Sequence, residues 1–269
     1  MSVTPTKAAI RLTKVWRATC EESEWFPVGC RKITTILGIK VRGESMGKEF
    51  QGGLFLEDGL KAILYNEDIS EEGRKNFTIA HELGHYSVHK DKKDLQCSMA
   101  DLNDFSSGPH PAGIEQEANS FSAMLLMPPN DFRRQTKGRQ LTLSLLGELA
   151  DHRYQTTLMA TTIQLIDLTS EPVAVVCIRA PDNRIEWARR SSSMKQTGCW
   201  LENGRKLPSA AITGNRNGHF VNSDVWLDER YADRWVIFQS IIHMPSYKQT
   251  LVVLHASSEE GAADLWDDV

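Results

Sequence analysis

The sequence has no paired-cysteine pattern. Its five cysteines, Cys20, Cys30, Cys97, Cys177 and Cys199, are odd in number, widely spaced and include no C-x-x-C. This argues against a disulfide frame or a thiolate zinc site, and the residues read as reduced packing thiols in a reducing cytoplasm. No apolar run reaches the roughly 18 residues that a membrane helix needs. The opening MSVTPTKAAIRLTKVW carries charges through its apolar residues, unlike a signal-peptide core. A soluble, cytoplasmic protein with no membrane partner is the expectation. There is no excess of one charge either: 31 Lys and Arg against 35 Asp and Glu give a formal charge of −4. That balance argues against coating nucleic acid over the whole surface. Low-complexity tracts are absent, and 269 residues at 41% hydrophobic can bury one good core and a second, smaller one.

What is present has an order. Apolar spacing predicts a helix over residues 6–22, and Pro27 opens a second that runs to about Leu37. Ile39–Val41, Gly53–Glu57 and Lys61–Asn66 read as strands of a small antiparallel sheet, the last two joined at Asp58-Gly59. Ser70 is the expected N-cap of a helix that continues to about His89. Residues 91–113 form an expected polar surface loop, after which a helix runs from about Gly113 to Met127 and stops at Pro128-Pro129. Two more helices, Thr142–His152 and Thr156–Leu168, flank a three-residue turn. From residue 171 the texture becomes β-rich, with hairpins at Val173–Ile178 with Arg184–Arg189 and at Trp235–His243 with Thr250–Ala256.

The chemistry concentrates in His81-Glu82-Leu83-Gly84-His85. Residues four apart on a helix differ by about 40° in azimuth and one turn in height, so His81 and His85 can share one Zn2+. Glu82 lies about 100° round from His81, on the same side, where it can take a proton from the water that such a metal activates. A catalytic zinc needs a third protein ligand and an open position. The helix after the loop offers Glu115, with Asn119 on the same face to orient a ligand histidine, and Glu117 as the other candidate ligand. Asp101, Asp104 and His110 sit on the expected loop and are poorer ligands. His89 continues the histidine series, but the helix carries it away, and a capping or packing role is expected.

FTIAHELGHYSVHK followed by EQEANSFSAMLLMPPNDF resembles the ImmA/IrrE family of bacterial metallopeptidases over residues 6–168. The resemblance implies His81, His85 and Glu115 as zinc ligands and Glu82 as catalytic acid/base. It also implies one Zn2+ per chain, with Mn2+ the alternative ion. The fold it implies is α+β: a zincin-like metallopeptidase domain with a small antiparallel sheet and the H-E-x-x-H helix at residues 1–135. A helix-turn-helix-like helical segment at 136–170, a smaller β-rich C-terminal domain at 171–258 (a candidate sensory domain) and an acidic tail at 259–269 complete the expectation. The implied function is cleavage of a regulatory protein, a helix-turn-helix transcriptional repressor, in a stress or mobile-element response. The Lys61–Asn66 strand is a candidate edge for binding a substrate strand.

The alternative is a DNA-binding or ligand-sensing transcriptional regulator whose metal is structural. The helix pair at 142–168 follows Arg133, Arg134, Lys137 and Arg139, and its second helix would have to expose Gln155, Thr156, Thr157, Thr161 and Gln164 to touch DNA. In the β-rich region Trp187, Trp200, Trp226 and Trp235 are expected mainly as core filling. His219, His243 and His255 lack metal spacing and are expected to be structural.

Overall fold

The computed structural model describes residues 4–47, 50–89, 95–98 and 113–258. Most of the expected loop, including Asp101, Asp104 and His110, lies outside the described residues, as does the acidic tail. The chain is α+β, as the sequence suggests, and forms two compact units: Met1–Phe132 with Glu148–Thr161, and Arg133–Gly147 with Thr162–Val269. Among the described residues no helix is long and apolar enough to cross a membrane.

In the first unit α1 (Pro5–Arg17) starts at Thr4, whose side chain accepts from the Lys7 amide, and Pro5 supplies the preset φ of a first helical position. It buries Ala8, Ala9, Leu12 and Trp16 and ends five residues earlier than the expected boundary. After α2 (Cys30–Ile36) come β1 (Lys40–Glu44), β2 (Phe50–Glu57) and β3 (Leu60–Asn66). With β4 (Leu95–Ser98) they form a sheet of order β1-β3-β2-β4. The β2–β3 hairpin turns at Asp58 and Gly59, both at positive φ (44° and 83°), the backbone that matches strand twist in a two-residue turn. The sheet is mixed: β1 runs parallel to β3, which returns antiparallel to β2 and lies between the two. Of the two readings of Lys61–Asn66, as an edge strand or as an ordinary core strand, the second holds, since β3 is hydrogen-bonded to β1 on one side and β2 on the other.

The helix carrying the histidines, α3 (Glu72–Val88), packs on β2 and β3 on one side and on α1 and α4 (Ile114–Leu126) on the other. Every residue from Phe77 to His85 is buried. Its N-cap is Glu71 and not the expected Ser70, and Glu71 makes no side-chain capping bond. α4 begins after Gly113, close to the expected position, and a short α5 (Pro129–Thr136) starts at the second proline of the pair.

The expected turn at Arg153-Tyr154-Gln155 is largely helical. α6 (Leu143–Glu148) continues as a π-helix through Leu149–Tyr154, and only Gln155, left-handed at φ 45°, ends it. α7 (Leu158–Leu168) follows. Tyr154 is locked by Asp131, whose carboxylate accepts from the Tyr154 hydroxyl at 2.9 Å and from two Arg153 nitrogens at 2.7 and 2.8 Å. Burial first, then the neighbouring Asp131 charge, pushes the Tyr154 hydroxyl well above its ordinary range, so it remains a donor.

The second unit holds an antiparallel sheet of order β6-β5-β9-β8-β7, built from β5 (Val173–Arg179), β6 (Arg184–Arg190), β7 (His219–Val221), β8 (Trp235–Met244) and β9 (Gln249–Ser258). Both expected hairpins are present; the three-residue β7 has no counterpart in the sequence reading. A short α8 (Glu229–Ala232) precedes β8. Trp226 is fully buried, and its indole N–H donates to Gln239 Oε1 at 2.7 Å, so the core's largest side chain leaves no unmet polar atom. Trp200 is instead 47% exposed, with the Arg205 guanidinium 4.3 Å over its ring.

Asp131 is 2% exposed, and its loss strands one charge and one hydroxyl. Asp131→Ala is expected to cost about 2–4 kcal/mol, the lower part of that range reflecting the partial exposure of Arg153. Chemical denaturation of the metal-free protein measures it; a cost under about 1 kcal/mol contradicts the role given to this carboxylate.

Candidate metal centre

The first unit brings His81, His85 and Glu115 together. Their ligand atoms all lie within 4.8 Å of one another. His81 Nε2 stands 3.0 Å from His85 Nε2 and 3.0 Å from Glu115 Oε2, and His85 Nε2 is 3.3 Å from the same oxygen. A tetrahedral ion with bonds of about 2.0–2.1 Å holds its ligand atoms about 3.3–3.4 Å apart. The triangle therefore fits such an ion after a few tenths of an ångström of expansion. Two imidazoles and a carboxylate are also the donor set that zinc takes in catalytic sites.

The hydrogen-bond partners favour the same conclusion. His81 Nδ1 lies 2.9 Å from Asn119 Oδ1, which assigns the ring hydrogen to Nδ1 and leaves a lone pair at Nε2. Along the 3.0 Å line between the two Nε2 atoms at most one hydrogen fits. Lone pairs converging at this distance repel unless a cation joins them. Burial opposes ionisation of Glu115, but with no ion bound, protonated His81 and His85 rings outweigh it and hold its carboxyl below the usual range.

The helices explain why the triangle forms. Glu115 and Glu117 occupy the first turn of α4, where the helix dipole favours carboxylates. Gly84 lets α3 approach: a Cβ there would meet Phe121 Cδ1 at 3.0 Å and the Ala118 Cα and carbonyl oxygen at 3.1 and 3.2 Å. Gly52 of β2 does the same on the other side. A Cβ at Gly52 would stand 2.4 Å from Thr78 Cγ2 and 3.2 Å from Glu82 Oε1, so the sheet passes over the Glu82 carboxylate with no room to spare. Glu82, His81 and His85 are fully buried, whereas the Glu115 side chain keeps 28% exposure and marks the open side of the centre.

His89 and Glu117 fall in unexpected places. His89 is not carried clear of the centre: its Nδ1 is 3.2 Å from His85 Nδ1, and its Nε2 is 2.7 Å from Glu117 Oε2. Glu117 thus meets a histidine without joining the triangle. The H-x-x-x-H continuation of the motif was the available signal. It is missed when only the ion, and not the outer nitrogen of each ring, is considered as a histidine's partner.

On the second helix of the supposed helix-turn-helix Thr161 and Gln164 are buried, as is Thr156 just before it, and so are withdrawn from any base-reading face. His243 Nδ1 lies 2.9 Å from Thr250 Oγ1, and His255 Nδ1 lies 3.4 Å from Gln140 Nε2.

A buried H-E-x-x-H helix whose two histidines meet a glutamate from a following helix defines a metallopeptidase-type centre. Residues 34–164, the stretch that holds the whole centre, match the family model of the IrrE N-terminal-like domain, Peptidase_M78. No curated protein matches the chain.

Ala at position 84 gains about 0.8–1 kcal/mol of helix propensity over Gly. That gain works against the cost of parting α3 from α4, so Gly84→Ala is expected to leave the metal-free fold within about 1 kcal/mol of wild type. Its Zn2+ affinity is expected to fall at least tenfold, by about 1.4 kcal/mol or more, as Glu115 withdraws. Titration against a chelating dye measures this, and unchanged affinity contradicts the close-approach argument.

Proposed function

We propose that the protein is a zinc-dependent endopeptidase of the cytoplasm that cleaves a helix-turn-helix transcriptional repressor in a stress or mobile-element response. The observation that carries the reading is the His81–His85–Glu115 triangle, with Glu82 fully buried on the helix that carries both histidines. A site that only braces the fold has no use for a carboxylate held there.

His81, His85 and Glu115 would hold one Zn2+, with Mn2+ as the alternative, and leave a fourth position open on the Glu115 side. When bound, the ion supplies Lewis acidity, lowering the pKa of a water and polarising the substrate carbonyl. Glu82 accepts the proton of the attacking water and returns it to the departing amine. Asn119 holds the ring of His81 through its Nδ1–H, and the cover of β2 at Gly52 limits the freedom of Glu82. With β3 enclosed, the outer strands of the sheet among the described residues are β1 and β4, and β4, paired to β2 at Gly52, is the better placed to accept an extended substrate segment.

The repressor substrate and its regulatory setting are supported by the family resemblance. Narrow substrate choice suits a site reached by strand addition better than general digestion does. The cytoplasmic assignment is supported by free, buried thiols at Cys30, Cys177 and Cys199, which burial pushes up to about 12 and renders inert.

The test uses the full chain, loaded with Zn2+ or Mn2+, and a helix-turn-helix repressor encoded beside its gene. Wild type is expected to cut, and Glu82→Gln to bind the metal with unchanged stoichiometry while cleavage falls by about 100-fold or more. Equal cleavage by both proteins removes Glu82 from the chemistry. Metal binding without cleavage by either overturns the substrate assignment.

A further inference from the structure

We infer that His89 and Glu117 are a positioning pair that fixes the ring of His85 for metal binding. The inference rests on the reading of His81, His85 and Glu115 as a metal centre and extends it beyond those three residues.

The geometry is a chain of three side chains. Glu117 Oε2 lies 2.7 Å from His89 Nε2, and His89 Nδ1 lies 3.2 Å from His85 Nδ1. An ionised carboxylate only accepts, so His89 Nε2 carries a hydrogen. The neutral His89 ring then offers a lone pair at Nδ1. His85 Nδ1 donates its hydrogen to that lone pair, and the lone pair of His85 is left at Nε2, facing His81 and Glu115. Each assignment follows from the partner before it. Ligand histidines work best when the outer N–H has a fixed acceptor, which sets the tautomer and raises the basicity of the inner nitrogen.

Local backbone makes the chain possible. Were α3 to continue, residue 89 would rotate about 40° beyond His85. Instead α3 ends at Val88, and His89 leaves helical geometry at φ −113° and ψ 43° while its amide still bonds to the His85 carbonyl. Its side chain stays 7% exposed, so the contact is held by packing, and Glu117 comes from the first turn of α4, the same turn that supplies Glu115.

The two ligand histidines are therefore supported unequally. His81 donates to the neutral amide of Asn119, whereas His85 is backed by a chain that ends on a carboxylate. Charge-assisted links are the stronger kind, so the His85 side should be the firmer half of the site. The same chain gives α4 two separate tasks, with Glu115 reaching the ion position and Glu117 reaching the support.

The experiment measures Zn2+ dissociation constants of the full chain by chelator competition for wild type, His89→Ala, His89→Gln and Glu117→Ala. His89→Ala is expected to weaken binding about 10–100-fold, and Glu117→Ala in the same direction by less. His89→Gln is expected to recover most of the loss, because its amide oxygen can accept from His85 Nδ1–H. In the zinc-loaded wild type, nitrogen-15 spectra of the imidazoles should show His85 protonated at Nδ1 and bound through Nε2, with that hydrogen exchanging faster in His89→Ala. A merely structural role would lower the melting temperature of the metal-free protein alongside the affinity and would not be rescued by Gln. Affinity of His89→Ala within about threefold of wild type, or His85 bound through Nδ1, overturns the inference while leaving the metal reading intact. If wild type itself takes up no ion, the metal reading falls and this inference falls with it.

Discussion

The close approach of α3 and α4 is the constraint on which the rest of the first unit depends. A metal centre made from one helix alone would have two ligands. The third arrives only because Gly84 faces the backbone of Ala118 without a side chain between them, which sets Glu115 about one tetrahedral edge from both histidines. That contact lies inside a buried layer, with the sheet on the other side of α3 and Gly52 giving the same kind of clearance above Glu82. Buried polar groups are costly unless matched, and here the outer ring nitrogens are matched in turn: His81 by Asn119, His85 by His89, His89 by Glu117, while the inner nitrogens face the ion position with Glu115. This polar cluster sits within an otherwise apolar core, and the functional reading follows from its arrangement.

The centre was largely legible in the sequence because its residues obey helical spacing. His81 and His85 stand four apart, as do Glu115 and Asn119, and those intervals place side chains on a common face before any tertiary contact is known. The strand pairs and the Asp58-Gly59 turn were legible for the same kind of reason, since alternation and turn chemistry are local. What local pattern cannot supply is the order of strands. The Lys61–Asn66 run reads equally well as an edge or as an enclosed strand, and only its tertiary placement between β1 and β2 decides the matter.

Two other departures have similar causes. The three residues Arg153-Tyr154-Gln155 look like a helix-turn-helix turn, yet tertiary demand wins. Asp131 claims both Arg153 and Tyr154, and a π-helical stretch carries them to it, so the helix lasts to Tyr154. A helix that ran on unchanged would carry His89 away from the ion position. Instead the departure of His89 from helical geometry at the end of α3 turns the ring back towards His85. In both cases a backbone irregularity, invisible to a periodic reading, serves a buried polar contact.

The central claim, that His81, His85 and Glu115 bind a single catalytic-type ion, is tested most directly by X-ray absorption at the zinc edge of the loaded full chain. The account predicts one zinc per chain with about four nitrogen or oxygen donors at about 2.0–2.1 Å, the scattering pattern of two imidazoles, and no sulfur. A sulfur shell near about 2.3 Å, a single imidazole, or zinc bound only in substoichiometric amounts would contradict it.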